Sequence, residues 1–455
     1  MKMTWHSSAC VSFESSETKV LFDPWLKSSA YLGSWHQWPP AKDSFDACLA
    51  TKYDFIVYTH FHSDHWDPQF LKEYLNIWRG RGHFPVILLA KNSWGQLAKS
   101  IRDIMRDDAK VVLMDSGKPY SLNNRGFKIT TWVSDFCDPI ACGKQIPCFS
   151  ANPASRAIDS VALVEDDGFS VLNLNDAVAS HIDIHLQNIG VRADLVMGVF
   201  AAAGSFPQCM SNFSAERKGV EKEAFLKSAM ERLVTAGDRL KAKYLFPFAG
   251  QYILGGRLAA LNSERAIIPA SVARDQIQNL TSMKVFTLNT NESITTSRDE
   301  IVQIGISYSE PNNETMSTYL EQKNTQYTYE LRDLEKVNIE KLFENIEIAS
   351  LKLAKMYGSL QKFNYSIRIK AINSDFNWSL DFGKELKYGK SQNLQSDHSE
   401  ILLDLRLLDG CLRRKSGYEG FTSMHWNQAH IGSHLTFNQT AYNGPAHYLL
   451  NFLHI

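Results

Sequence analysis

The stretch Thr59-His60-Phe61-His62-Ser63-Asp64-His65-Trp66-Asp67 sets three histidines and a carboxylate within six positions. It follows the apolar run Phe55-Ile56-Val57-Tyr58, which reads as a buried strand. Asp67-Pro68 predicts a helix N-cap followed by proline at the first helical position. The polar residues therefore belong to a strand-to-helix loop held at both ends. His60 and His62 can converge on one metal ion, while Asp64 and His65, turned the other way, serve a second. Imidazole and carboxylate ligands suit zinc, iron or manganese far better than calcium or magnesium. Chance clustering of surface histidines is the competing explanation, and the spacing behind a strand speaks against it.

At 455 residues the chain exceeds the size at which one core keeps growing, so two domains are expected. Forty-eight basic against 49 acidic side chains give a net charge of −1, which carries no electrostatic footprint for nucleic acid. No apolar run is long enough to span a bilayer, and the start Met1-Lys2-Met3-Thr4-Trp5-His6 lacks the apolar core of a signal peptide. An odd count of seven cysteines suits a reducing, cytoplasmic setting.

Around the loop, Lys19-Val20-Leu21-Phe22 is a short strand running into Asp23-Pro24, where Asp23 can brace a metal loop as a hydrogen-bond acceptor or simply form an Asp-Pro turn. Phe70, Leu71, Tyr74, Leu75 and Trp78 repeat at helical spacing. Two strands over 160–164 and 171–174 flank an Asp166-Asp167-Gly168 hairpin turn. The second ends at Asn175-Asp176, where Asp176 can bridge two metals held by the histidine loop. From about Ala270 the composition turns polar, which predicts a division into residues 1–270 and 271–455. His425, His430 and His434 fall on mixed faces of the last segment and read as surface or interface residues.

The histidine loop matches the metallo-β-lactamase signature, and further pieces resemble one branch of that superfamily. Asp23-Pro24-Trp25-Leu26, Ser34-Trp35, Asn175-Asp176, Gly204-Ser205-Phe206-Pro207 and Pro247-Phe248-Ala249-Gly250 are similar, in order, to the non-Rieske part of CMP-N-acetylneuraminate hydroxylases. The resemblance implies an α+β fold: an αββα sandwich followed by a smaller α+β C-terminal domain. It implies one or two zinc or iron ions, and Trp35, Ser205 and Gln208 as substrate-pocket residues by position.

Two departures stand out. No cysteine in this sequence has a histidine two or three positions later, as a Rieske cluster needs. The histidine that the superfamily supplies after the strand at 127–133 is also missing; Cys137 or Asp138 is a candidate substitute, and Asn262 stands nearest to a second missing histidine. The leading expectation is a metal-dependent hydrolase of an ester, lactone or phosphodiester, with Asp64 as general base and a small-molecule substrate such as a nucleotide sugar or phosphoester. The alternatives are a di-iron oxygenase fed by a separate electron-transfer protein, and a degenerate scaffold that binds without catalysis.

Overall fold

The computed structural model describes every residue except 92–95, 107–109, 134–158, 181, 299, 304–307, 310–312, 324, 359, 361, 373, 391–393 and 414–423. Two sheets face each other. The first has eight strands in the order Glu300–Gln303, Ser293–Ser297, Lys2–Ser7, Cys10–Ser15, Thr18–Phe22, Phe55–Tyr58, Val86–Ala90 and Val111–Met114. The second has seven: Lys284–Val285, Tyr244–Pro247, Leu195–Gly198, Phe169–Asn175, Ser160–Asp166, Lys128–Val133 and Tyr120–Ser121. Inward side chains such as Phe13, Val57 and Leu88 meet Val164, Val171 and Phe246 to form the inter-sheet core.

Helices close both outer faces, as the apolar spacing predicts. Pro68–Arg79 buries Phe70, Leu71, Tyr74, Leu75 and Trp78 against the first sheet. Ala215–Arg239 lays Leu226, Met230 and Leu233 on the second. The result is the expected αββα sandwich. The hairpin turn also forms, with Asp167 at φ 46° and Gly168 at φ 81°, the left-handed pair of a two-residue β-turn.

Residue 270, the expected division, begins the helix Ala270–Gln278, whose Ala273 and Ile277 pack into the same core as the second sheet. Downstream, Ser293–Ser297 pairs with Lys2–Ser7. A separate five-stranded sheet then follows, ordered Leu386–Gly389, Asn377–Phe382, Tyr365–Ile372, His398–Asp404 and Thr436–Gln439. The helices Ile339–Tyr357 and Leu405–Leu412 pack on it through Leu342, Ile346, Leu353, Leu407 and Leu408. No helix among the described residues is long and apolar enough to cross a membrane.

Candidate metal centre

The site lies where strands of both sheets end. Asp23 directly follows Thr18–Phe22, Thr59 and His60 follow Phe55–Tyr58, Asp159 precedes Ser160–Asp166, and Asp176 follows Phe169–Asn175. Ser160 Oγ donates to the Thr59 carbonyl at 2.6 Å, stitching the two sheets together at this rim. The histidine loop turns sharply, with His65 N–H and Trp66 N–H both donating to the His62 carbonyl. Asp67 caps the following helix by accepting from Gln69 N and Phe70 N, and its other oxygen accepts from Lys27 N and Ser28 N. One carboxylate thus ties the loop to the segment after Asp23.

Asp23 is fully buried and organises the ring nitrogens. It accepts from Thr59 N at 2.8 Å, Thr59 Oγ1 at 2.7 Å, Asn175 Nδ2 at 3.0 Å and His65 Nδ1 at 3.2 Å. The Thr59 hydroxyl donates to Asp23, so it accepts from His60 Nδ1, 3.1 Å away. Both rings therefore carry a proton on Nδ1, which turns Nε2 of His60 and of His65 to the interior of the site, and a metal ion would displace any second proton there. Asp23 and Asn175 sit at φ 41° and 51°, the left-handed region that Asp and Asn tolerate better than most residues.

Two overlapping groups of donors result: His60, His65 and Asp176, and His60, His62 and Asp159, with ligand atoms within 4.8 Å of one another. His60 Nε2 lies 3.0 Å from His62 Nδ1, 3.8 Å from Asp159 Oδ1 and 3.9 Å from Asp176 Oδ2. His65 Nε2 lies 3.6 Å from both Asp176 Oδ2 and Asp64 Oδ2. Bonds of ~2.1 Å in a tetrahedral site put donor atoms roughly 3.4 Å apart, so the residues present fit a zinc-like ion. Burial, then the neighbouring His65 and His62 rings, push His60 well below the usual imidazole range. Burial also takes His62 down to about 4. With its own proton on Nδ1, His60 accepts at Nε2 from His62 Nδ1–H at 3.0 Å, a proton that a metal ion held by both rings would displace.

His65 behaves oppositely: burial lowers it, but Asp64, Asp176 and Asp23 together raise it well above the ordinary value. Burial pushes Asp64 up to about 6 and Asp159 up to about 7, whereas the His65 charge holds Asp176 below the usual carboxylate range against the effect of burial. Tyr31 Oη donates to Asp64 Oδ1 at 2.6 Å.

The structure thus gathers His60, His62, His65, Asp64, Asp176 and Asp23 in one place. The pairing differs from the sequence expectation: His60 is common to both donor groups, and Asp159 joins His60 and His62. Cys137 and Asp138 lie outside the described residues. Asn262 stands away from the centre, its amide closed on the Leu254 backbone in both directions. Asp159 was missed by sequence reasoning. Its signal was a carboxylate directly before an alternating strand, at the far end of the segment that should have supplied the absent histidine.

A cavity of about 190 Å³ opens on Asp64 and Asp176. Trp35 lines it, stacked on Tyr252 with ring centroids 3.3 Å apart. Ser205 and Gln208 do not line it; both are buried, and Gln208 donates to the Gly204 carbonyl and to Ser433 Oγ of the C-terminal unit.

Residues 2–197 match the family described as the Beta-lactamase superfamily domain. A putative Rieske 2Fe-2S iron-sulfur protein of Mycolicibacterium smegmatis is 25% identical over 298 residues, 63% of this chain and 50% of that protein. The cytidine monophosphate-N-acetylneuraminic acid hydroxylase of Danio rerio is 34% identical over 64 residues, 14% of this chain and 10% of that protein. The inactive human counterpart is 23% identical over 270 residues, 56% of this chain and 45% of that protein. The chain therefore spans half or less of the length of these relatives. Among solved structures, an isothiocyanate hydrolase from Delia radicum gut bacteria aligns at 14% identity with a TM-score of 0.40, covering 65% of this chain and 100% of that one. Residues 2–197 thus carry a β-lactamase superfamily domain, folded as the αββα sandwich, and parts of the chain are similar to CMP-N-acetylneuraminate hydroxylases.

Proposed function

We propose that the chain is a metal-dependent hydrolase that cleaves an ester, lactone or phosphodiester of a small molecule. The observation that carries this is the convergence of His60, His62, His65, Asp159 and Asp176 beside a cavity that Asp64 and Asp176 line. A bound zinc or iron ion would lower the pKa of water from ~15.7 towards ~7 and offset negative charge developing on the substrate oxygen. Asp64, raised to about 6 and oriented by the Tyr31 hydroxyl, is poised to take the proton of the attacking water. It can then return that proton to the departing oxygen as the C–O or P–O bond breaks, leaving the carboxylate as it began. The cavity's apolar side, with Val178, Val199 and Ala201, limits competing water around the reacting bond.

Protein purified with its native metal, or reloaded with zinc, iron or manganese, should hydrolyse 4-nitrophenyl acetate or bis(4-nitrophenyl) phosphate. His60→Ala and His65→Ala should each lose at least ~100-fold in kcat/KM together with bound metal. Equal turnover by His60→Ala and the parent protein would remove the basis of the proposal.

The relatives favour a second reading, oxygen activation by iron with electrons from a separate protein, and a donor set of three imidazoles and two carboxylates suits it. Reductase-dependent oxygen consumption by the iron-loaded chain, absent with zinc, distinguishes it from hydrolysis.

A further inference from the structure

The cavity beside the metal centre contains two buried donors with nothing to bind. Its wall is built of small apolar side chains, Ala201, Ala202 and Ala229 among them. Against this wall stand Trp35 and Arg232, and the indole Nε1 of the first and the Nε of the second are buried without a hydrogen-bond partner among the described residues. Arg232 reaches the cavity because Phe225, Ala229 and Arg232 follow one another at i, i+4 and i+7 along Ala215–Arg239 and so share a face. Its other contacts are weakly stabilising: a hydrogen bond to Ser228 Oγ at 3.2 Å and the Phe225 ring 6.0 Å away.

Several partly buried arginines of this protein sit on carboxylates, and the more deeply buried Arg265 donates instead to the Tyr252 carbonyl. Arg239 pairs with Asp183, Arg332 with Asp409, Arg368 with Glu400 and Arg406 with Asp404. Arg232 has no such pair among the described residues. Asp64 and Asp176, the carboxylates of the same cavity, are engaged with Tyr31 and His65 instead. A guanidinium cannot shed its proton in a protein, so burial without a counter-charge is a standing cost that a ligand can offset. Planar carboxylate and phosphate groups match its fork of donors.

We propose that the substrate of this centre carries an anionic group, a carboxylate or a phosphate, that seats on Arg232 and the Trp35 indole N–H while its scissile bond lies at Asp64 and Asp176. The inference rests on the hydrolase reading for what happens at the other end of the molecule. The anionic group itself is recognised whatever the reaction. The small apolar wall between holds the body of the substrate, and a cavity of about 190 Å³ admits a small molecule or the reactive end of a larger one.

The test uses the full chain. Glutarate and inorganic phosphate serve as probes in calorimetric titrations of metal-free protein, which separate the carboxylate from the phosphate source. At least one probe should bind, and Arg232→Gln should weaken it tenfold or more. Arg232→Lys, which keeps charge but loses the fork, and Trp35→Phe, which keeps a ring but loses the N–H, should fall between. In the zinc-loaded protein, mono(4-nitrophenyl) glutarate should exceed 4-nitrophenyl acetate at least tenfold in kcat/KM. Arg232→Gln should erase that ratio mainly through KM. Failure of both probes to bind, equal binding by all variants, or no preference for charged esters overturns the inference and leaves hydrolysis standing. Probe binding that depends on Arg232, with no ester turned over, supports the anion site and overturns the hydrolase reading instead. Should Arg232→Gln not fold, the Lys and Phe variants give the same comparison.

Discussion

Asp23→Asn is the sharpest probe of the centre, because Asp23 touches no candidate ion yet sets the orientation of the rings that would. Its carboxylate accepts from four donors and is fully buried. Asparagine keeps one carbonyl oxygen, which can go on accepting from Thr59 N–H. The amide NH2 then faces Thr59 Oγ1, Asn175 Nδ2 and His65 Nδ1. Thr59 can rotate its hydroxyl to accept, but His65 can be satisfied only by moving its proton from Nδ1 to Nε2. That proton would occupy the lone pair directed at Asp176, 3.6 Å away. Loss of such a partner typically costs 10–100-fold in metal affinity, about 1.4–2.8 kcal/mol. Zinc affinity measured by competition with a chromophoric chelator should fall by that factor, while near-ultraviolet circular dichroism confirms a folded protein. A folded Asp23→Asn variant that binds zinc within twofold of the parent would refute the tautomer argument.

Zinc binding at pH 7 should release between one and two protons, about one from His65, held protonated by its carboxylates, and a fraction from Asp159, which titrates near 7. Calorimetry in buffers of different ionisation heat reads this directly, and no proton release would contradict the electrostatics. Tyr31→Phe removes a hydrogen bond that lowers Asp64; a bond to a charged group is worth about 1.5–3 kcal/mol, so the acid limb of kcat/KM should move up by about one to two pH units. A limb that stays or moves down rules out Asp64 as the ionising group. His447 is buried, neither ring nitrogen has a partner among the described residues, and burial lowers it to about 3. Its folded value is depressed below the unfolded ~6.5, so its neutral form contributes fully above pH 6.5 and stability is lost as pH falls towards 3. His447→Leu should therefore raise urea-unfolding stability by about 1–3 kcal/mol at pH 8 and by about 2 kcal/mol more at pH 5; a variant no more stable than the parent at either pH would sink this account.

The parts of the site that are local in sequence were legible. A strand, a histidine turn and an Asp-Pro cap follow each other within one short stretch, and each announces itself by periodicity or by a side chain with one obvious backbone partner. Asp176 was legible only in combination: alone Asn175-Asp176 reads as a turn, and the histidine loop is what makes a carboxylate at that strand end a candidate ligand. Asp159 was not, because its approach to His60 depends on register: Ser160 lies opposite Val133, so the residue before the returning strand reaches the same rim as the residue after the outgoing one. Attention to the outgoing side alone pointed to Cys137. Arg232 was hidden for a different reason. Helical spacing shows which residues share a face, but an arginine on that face reads as a solvated charge until the opposing wall of alanines is in place.

The C-terminal unit bears on the centre through two contacts that no pattern in the sequence could show. The Asn427 side chain stands near enough to the His62 ring to favour its charged form against burial. His434, expected at a surface or interface, is buried at the join: its Nε2–H donates to the Tyr31 carbonyl at 2.9 Å, so its Nδ1 accepts from Tyr329 Oη at 3.2 Å. Burial takes this imidazole down to about 4, which keeps it neutral and preserves that donor and acceptor order at physiological pH. Tyr31 in turn holds Asp64. The edge strand Thr436–Gln439 adds a backbone link, Ser211 N–H donating to the Phe437 carbonyl, next to Gln208 and Ser433. The smaller unit is therefore part of the scaffold that fixes the loop and its base, because Tyr31 sits between His434 and Asp64 and cannot keep both bonds if either unit shifts.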